Sequence, residues 1–139
     1  MIADADVFLD SPILIYAAQG RHAAPEKREA ARRIILSEDY CTSAQVLAEF
    51  YSAVTTNGDR PLGPDKALQW VRAIAKKPCQ PLDERLVFAG IEICQRYQLS
   101  SRNGAIIAAA ERLGAKTLYT EELSHGQSYG AVTAINPFL

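Results

Sequence analysis

The sequence predicts an α/β domain of three layers, in which a short, mostly parallel sheet is flanked by helices. Two observations carry that expectation. The runs Val7–Leu9, Thr117–Tyr119 and Val132–Ile135 are too short for helices but have the length of buried strands. The segments between them are longer and place apolar residues at helical spacing. Strands joined by helical crossovers pair in parallel, and helices then cover both faces of the sheet. At 139 residues the chain has the size of one ordinary domain, taken as 1–139.

Val7-Phe8-Leu9 reads as the first strand and ends at Asp10. Ser11 is placed to cap a helix with Pro12 at its first position, and Ile13 to Ala18 continue it. A second helix, Pro25 to Glu38, gathers Lys27, Arg28, Arg32 and Arg33 on one side and ends in Ile34-Ile35-Leu36. Tyr40-Cys41 is a short strand. Thr42, with Gln45 three residues on, resembles a capping box opening a helix to about Thr56. Gly58 to Gly63 is a loop. A helix over Pro64 to Lys77 turns Leu68, Val71 and Ala75 to one face. Asp83 caps a fifth helix to about Tyr97, with Leu86, Ile93 and Tyr97 at helical spacing. Ser100-Ser101 opens a sixth, whose Ile106, Ile107 and Ala110 form a narrow apolar stripe, and Gly114 suits its C-terminal stop. Thr117–Tyr119 and Val132–Ile135 supply the last two strands.

Composition removes several classes of function. With 48% hydrophobic and 22% charged residues, the chain is neither disordered nor a coiled coil. Its longest apolar stretch, Ile13 to Ala18, is far short of the ~20 residues that span a bilayer. An N-terminus bearing Asp4, Asp6 and Asp10 without a basic segment argues against a signal peptide. Cys41, Cys79 and Cys94 are odd in number and form no C-x-x-C, so neither a disulfide framework nor a zinc knuckle is indicated. A reduced, cytoplasmic protein is expected. A net charge of −1 excludes a uniformly basic nucleic-acid wrapper, although the Arg28, Arg32 and Arg33 face leaves a local patch open. Neither G-x-G-x-x-G nor a P-loop occurs. Asp4-Ala5-Asp6 resembles the D-x-D of aspartate-nucleophile phosphatases, but too few residues precede it for the buried strand that motif needs.

Sites in open α/β sheets form beyond the carboxyl ends of the strands. Asp10 lies there, and so do Glu121 and Glu122 after Thr117–Tyr119. Glu49 falls at the border of the buried face in the helix after the second strand, and Asn103 in the first turn of the sixth helix. Singly, each has a plain structural use as a cap, a boundary carboxylate or a first-turn polar residue. Jointly, three acids and an amide from four elements can meet at one end of the sheet. Such oxygen sets suit Mg²⁺ or Mn²⁺ in phosphate chemistry.

The order of these residues resembles the PIN-domain family, particularly the VapC-like toxin ribonucleases. Phe8-Leu9-Asp10-Ser11 is similar to the family's first motif, and the run from Thr42 to Phe50, with Glu49, to its second. The run from Leu99 to Ala110, with Asn103, resembles the third. Leu118 to Leu123, with His125-Gly126-Gln127, resembles the fourth, and Ile135-Asn136-Pro137-Phe138 is also family-like. The resemblance implies a metal-dependent endoribonuclease that hydrolyses RNA phosphodiester bonds with Mg²⁺ or Mn²⁺. It further implies the toxin half of a toxin–antitoxin pair, and a homodimer. Asp10, Glu49 and Glu122 would be the metal ligands and Asn103 a weakened fourth site residue, with Thr120 placed to position a water or ligand. Whether Glu121 or Glu122 is the ligand stays open.

Three departures bear on this expectation. Asn103 and Glu122 stand where the family usually has Asp, and Ser11-Pro12 where it usually has Thr-Asn. Asn for Asp removes a charge, and a loss of even ~1.4 kcal/mol is tenfold in affinity. One metal survives that change more readily than two. The alternative reading is a PIN-like scaffold that has lost catalysis and binds RNA or protein. Apolar helix positions (Ile13, Ile15, Tyr16, Leu68, Trp70, Val71) exceed what one short sheet covers, so a shared surface is expected.

Overall fold

The computed structural model describes residues 5–58 and 60–139. Asp4 of the acidic N-terminus and Asp59 of the 58–63 loop lie outside them. The elements run β1 (Val7–Leu9), α1 (Ser11–Gln19), α2 (Pro25–Ser37), β2 (Tyr40–Ser43), α3 (Ala44–Thr56), α4 (Pro64–Ile74), β3 (Cys79–Gln80), α5 (Glu84–Tyr97), α6 (Ser101–Arg112), β4 (Thr117–Tyr119), β5 (Ser128–Tyr129) and β6 (Val132–Ile135).

The sheet has six strands in the order β3-β2-β1-β4-β6-β5. All pairs are parallel except β5 with β6. Val7-Phe8-Leu9 is buried throughout, with Phe8 and Leu9 fully so, because β1 is flanked by a strand on each side and covered by helices. The helices pack in two groups, α1 to α4 and α5 with α6, and β2 touches one of each, α3 and α6. The chain leaves β1 for β2 and β3 on one side and resumes with β4 on the other. The order therefore reverses at β1, and the crevice beyond its carboxyl end is where such sheets hold ligands.

The expected class and most elements are present, with local differences. Asp10, not Ser11, is the N-cap of α1, its side chain accepting from the Ser11 N–H, so Pro12 is the second residue of the helix and not the first. Ser43, not Thr42, caps α3 and accepts from the Val46 N–H. Thr42 belongs to β2, and its hydroxyl donates to the Leu9 carbonyl at 3.0 Å. Helix α4 stops at Ile74 and buries Ala67 and Ile74, while Leu68 is exposed. Strands β3 and β5, each two residues long, add edges that the sequence reading lacks. Of the apolar residues expected to need a partner, Ile13 is fully buried and Ile15, Tyr16, Trp70 and Val71 pack against the core. The uncovered apolar side chains lie mainly along α5 and just before it, at Val87, Phe88, Ile91 and Leu82. No helix among the described residues is long and apolar enough to cross a membrane.

Candidate active site

Strand β1 delivers Asp10 to the crevice, where only 1% of it is exposed. Its Oδ1 accepts from the Ser11 N–H at 2.7 Å, and its Oδ2 from the Thr120 hydroxyl at 2.8 Å. Thr120 follows β4 and also accepts from the Glu122 N–H at 3.1 Å, fixing the turn that carries Glu122. Glu49 arrives from the second turn of α3 and accepts from the Ser11 hydroxyl at 3.1 Å. Ser100 caps α6 by accepting from the Asn103 N–H at 3.1 Å, which places Arg102 and Asn103 in its first turn.

What joins these groups is Arg102. Its Nε and Nη2 donate to the two oxygens of Glu49 at 3.0 and 2.6 Å, a bidentate fork. Nη2 and Nη1 donate to the two oxygens of Asp10 at 2.7 and 3.3 Å. Nη1 also donates to Glu122 at 2.7 Å and to the Asn103 side-chain oxygen at 2.9 Å, and Nη2 to the Ser11 hydroxyl at 3.1 Å. Every nitrogen of the planar guanidinium is engaged, the geometry that makes Arg rather than Lys suited to carboxylates.

The electrostatics follow from that contact. Burial pulls the Arg102 pKa down, but its hydrogen bonds with Glu49 and Asp10 outweigh burial and hold it above the usual arginine value. Burial likewise pushes Glu49 up, and Arg102 overcomes it, so the carboxyl titrates below its ordinary range. Three carboxylates face one guanidinium, which leaves the cluster short of two positive charges.

The structure thus brings together Asp10, Glu49, Asn103 and Glu122, the four residues expected from the sequence, with Thr120 beneath them. Glu121 points elsewhere: it accepts from Lys27 at 2.6 Å and from the Tyr16 hydroxyl at 2.8 Å. Its neighbour Glu122 is the one of the two that reaches the Arg102 cluster. His125 sits in an exposed turn and accepts from the Asn136 N–H at 3.0 Å. On the basic side of α2, Arg32 donates to the Ala17 carbonyl at 2.9 Å and lies over the Trp70 ring, Lys27 pairs with Glu121, and Arg33 stays exposed beside Glu29.

Arg102 was not singled out by the sequence reading. The signal was a cation in the first turn of a helix, where the macrodipole disfavours it, beside the residue in the third acidic position. A cation so placed needs carboxylates to offset the cost, and here it has three.

In type, these donors fit a hard divalent cation, since all are carboxylate or amide oxygens. In spacing, they are set for the guanidinium, with nitrogen-to-carboxylate distances of 2.6–3.3 Å against the ~2.0–2.1 Å that Mg²⁺ requires of its ligands. Among the described residues no three acidic, histidine or cysteine side chains stand close enough to share a metal.

The model of the PIN domain matches residues 7–123. The chain belongs to the PIN domain family. No curated protein matches it in sequence, but solved structures share its fold. VapC20 of Mycobacterium tuberculosis, a sarcin-ricin loop cleaving toxin, superposes with a TM-score of 0.67 at 16% identity, over 84% of this chain and 89% of that one. FitAB, solved on a DNA fragment, gives 0.66 at 18% identity over 96% of each chain. A toxin–antitoxin complex from Klebsiella pneumoniae gives 0.66 at 17% identity, over 94% and 97%. The fold of this PIN domain is shared with these structures, and Asp10, Glu49, Asn103 and Glu122 meet around Arg102.

Proposed function

We propose that this PIN domain is a metal-dependent endoribonuclease of the VapC type, the toxin partner of a small antitoxin, working as a homodimer. The observation that carries the reading is the convergence of Asp10, Glu49, Glu122 and the Asn103 amide oxygen on one cationic group, at the point where the strand order reverses. Asp10, Glu49 and Glu122 would hold Mg²⁺ or Mn²⁺, with Asn103 a neutral fourth donor. The metal, when bound, supplies Lewis acidity toward a phosphate oxygen and a bound water of lowered pKa. The chain's own residues set the geometry. Thr120 fixes Asp10 and the Glu122 turn through one hydroxyl. Ser11 orients Glu49 by donating its hydroxyl to the carboxylate. An RNA phosphodiester, an anion, needs a cation to approach three carboxylates, which is why the acids act through a metal and not alone. For a protein partner, Leu82, Val87, Ile91 and Ala105 line an apolar groove whose wall includes Arg102. Exposed Phe88 lies on the same helix as Val87 and Ile91.

The test is cleavage of structured RNA in Mn²⁺ by wild type, Asp10→Asn and Glu49→Gln. Manganese-dependent cleavage that both substitutions abolish is the expected result. RNA binding without cleavage, unchanged by metal or by either substitution, would establish the binding module instead.

A further inference from the structure

We propose that Arg102 is a counter-ion built into the site, competing with the divalent cation for the same carboxylates, so that metal enters only as the guanidinium leaves. This rests on the reading of Asp10, Glu49 and Glu122 as metal ligands. The argument starts from occupancy. Arg102 uses both oxygens of Asp10, both of Glu49 and one of Glu122, and it takes the Asn103 oxygen as well. The lone pairs that would bind a metal are the ones it consumes, and its plane holds the acids at separations made for itself.

The second part of the argument is that the plug is removable. The Arg102 side chain is 26% exposed, Glu49 is 32% exposed and Glu122 46%. The guanidinium therefore sits at the mouth of the crevice above the buried Asp10, on a long stem with solvent beside it. One guanidinium also leaves two of the three carboxylate charges uncompensated, so a dication matches the cluster better than the resident group does. Asn103 fits the same picture. A fourth carboxylate would bind Arg102 more tightly still, whereas the amide leaves the contact weak enough to exchange. The site is held ready but closed, and it opens with metal concentration.

The inference is tested by two measurements on the full chain. Calorimetry with Mn²⁺ on wild type and Arg102→Ala is expected to show binding at least about tenfold tighter in the variant, because one unit charge near a dication is worth several kcal/mol before solvent relaxation. Equal affinities overturn the competition while leaving the acids as a metal site. Two folded proteins that both fail to bind Mn²⁺ overturn the metal site itself. Where Arg102→Ala folds only with Mn²⁺, the midpoint of that dependence replaces calorimetry, and failure to fold at saturating Mn²⁺ overturns the exchange. The second measurement uses wild type alone. Phenylglyoxal modification followed by peptide mass mapping is expected to label Arg102 slowly without Mn²⁺ and faster with it, exposed Arg72 serving as the reference. Unchanged labelling of Arg102 at saturating Mn²⁺ overturns the proposal.

Discussion

Helices α5 and α6 cross where Gly90 meets Gly104, and Gly104→Ala is the substitution that probes this crossing most directly. A methyl group on Gly104 would sit within contact distance of the Gly90 carbonyl oxygen, and 3.0 Å from the Cys94 Cβ. The Gly90 oxygen is backbone and cannot rotate away, so the helices must part. Overpacking of a well-filled core costs ~1–3 kcal/mol, and an immovable backbone oxygen places this site at the upper end. Alanine returns ~1 kcal/mol through better helix propensity. The net expectation is a loss of about 2 kcal/mol, or a drop in Tm of ~8 °C for a domain of this size. Urea unfolding followed by circular dichroism reads it. Gly90→Ala meets Ala105 Cα at 2.8 Å and should also destabilise. The double variant should cost less than the sum, since one separation of the helices relieves both clashes. A Gly104→Ala protein as stable as wild type would mean that propensity outweighs the clash, and the reasoning from close approach would be refuted. The same separation moves the first turn of α6, so Mn²⁺ affinity should change with it.

Two further outcomes follow from burial and charge. Glu49 titrates below its ordinary value in the folded protein, so it adds stability above its unfolded pKa of ~4.3. That stability is lost as the pH falls through the lowered value. Tm measured from pH 6 down to about pH 3 should decline more steeply in wild type than in Glu49→Gln, and equal slopes would remove Glu49 from the ionic cluster. The Cys41 thiol, fully buried, is pushed up to about 12, first by burial and then by Asp39 and Cys79. It should escape iodoacetamide at pH 8 in the native protein and react on unfolding, and native labelling at Cys41 would contradict its buried place in β2.

The legibility of this chain in its sequence varied with the length of the pattern. Val7–Leu9 and the existence of α6 were readable because burial forces unbroken apolar runs or helical spacing, but Ile106 to Ala110 are buried without a break, where a narrow stripe was expected. Strands β3 and β5 were not, since Cys79–Gln80 and Ser128–Tyr129 are too short to show alternation and form only when a neighbour offers its edge. The caps of α1 and α3 lay one residue from their expected places, at Asp10 and Ser43, because adjacent polar residues can each accept a first-turn N–H. Tertiary packing decided between them. The four residues that converge on Arg102 were picked out by their order along the chain. Arg102 was not, since an arginine's partners are set by where three distant carboxylates converge, and no local pattern encodes that. The exposure of Leu68 has the same origin: α4 is turned to bury Ala67 and Ile74, with Val71 packed at the edge of the core and Leu68 facing outward.

The Gly90–Gly104 crossing also governs how the protein ages. Asn103 is followed by glycine, the pairing in which a backbone nitrogen most readily attacks the preceding side-chain carbonyl and converts the amide to an acid. Here the Gly104 nitrogen donates to the Ser100 carbonyl at 3.0 Å, and its residue is pressed against Gly90 and Cys94. The attack needs a backbone rotation that α6 and its neighbour forbid while they stay together. Deamidation at position 103 then becomes a slow clock for the opening of the first turn of α6. Each tick adds a carboxylate to the group that Arg102 holds.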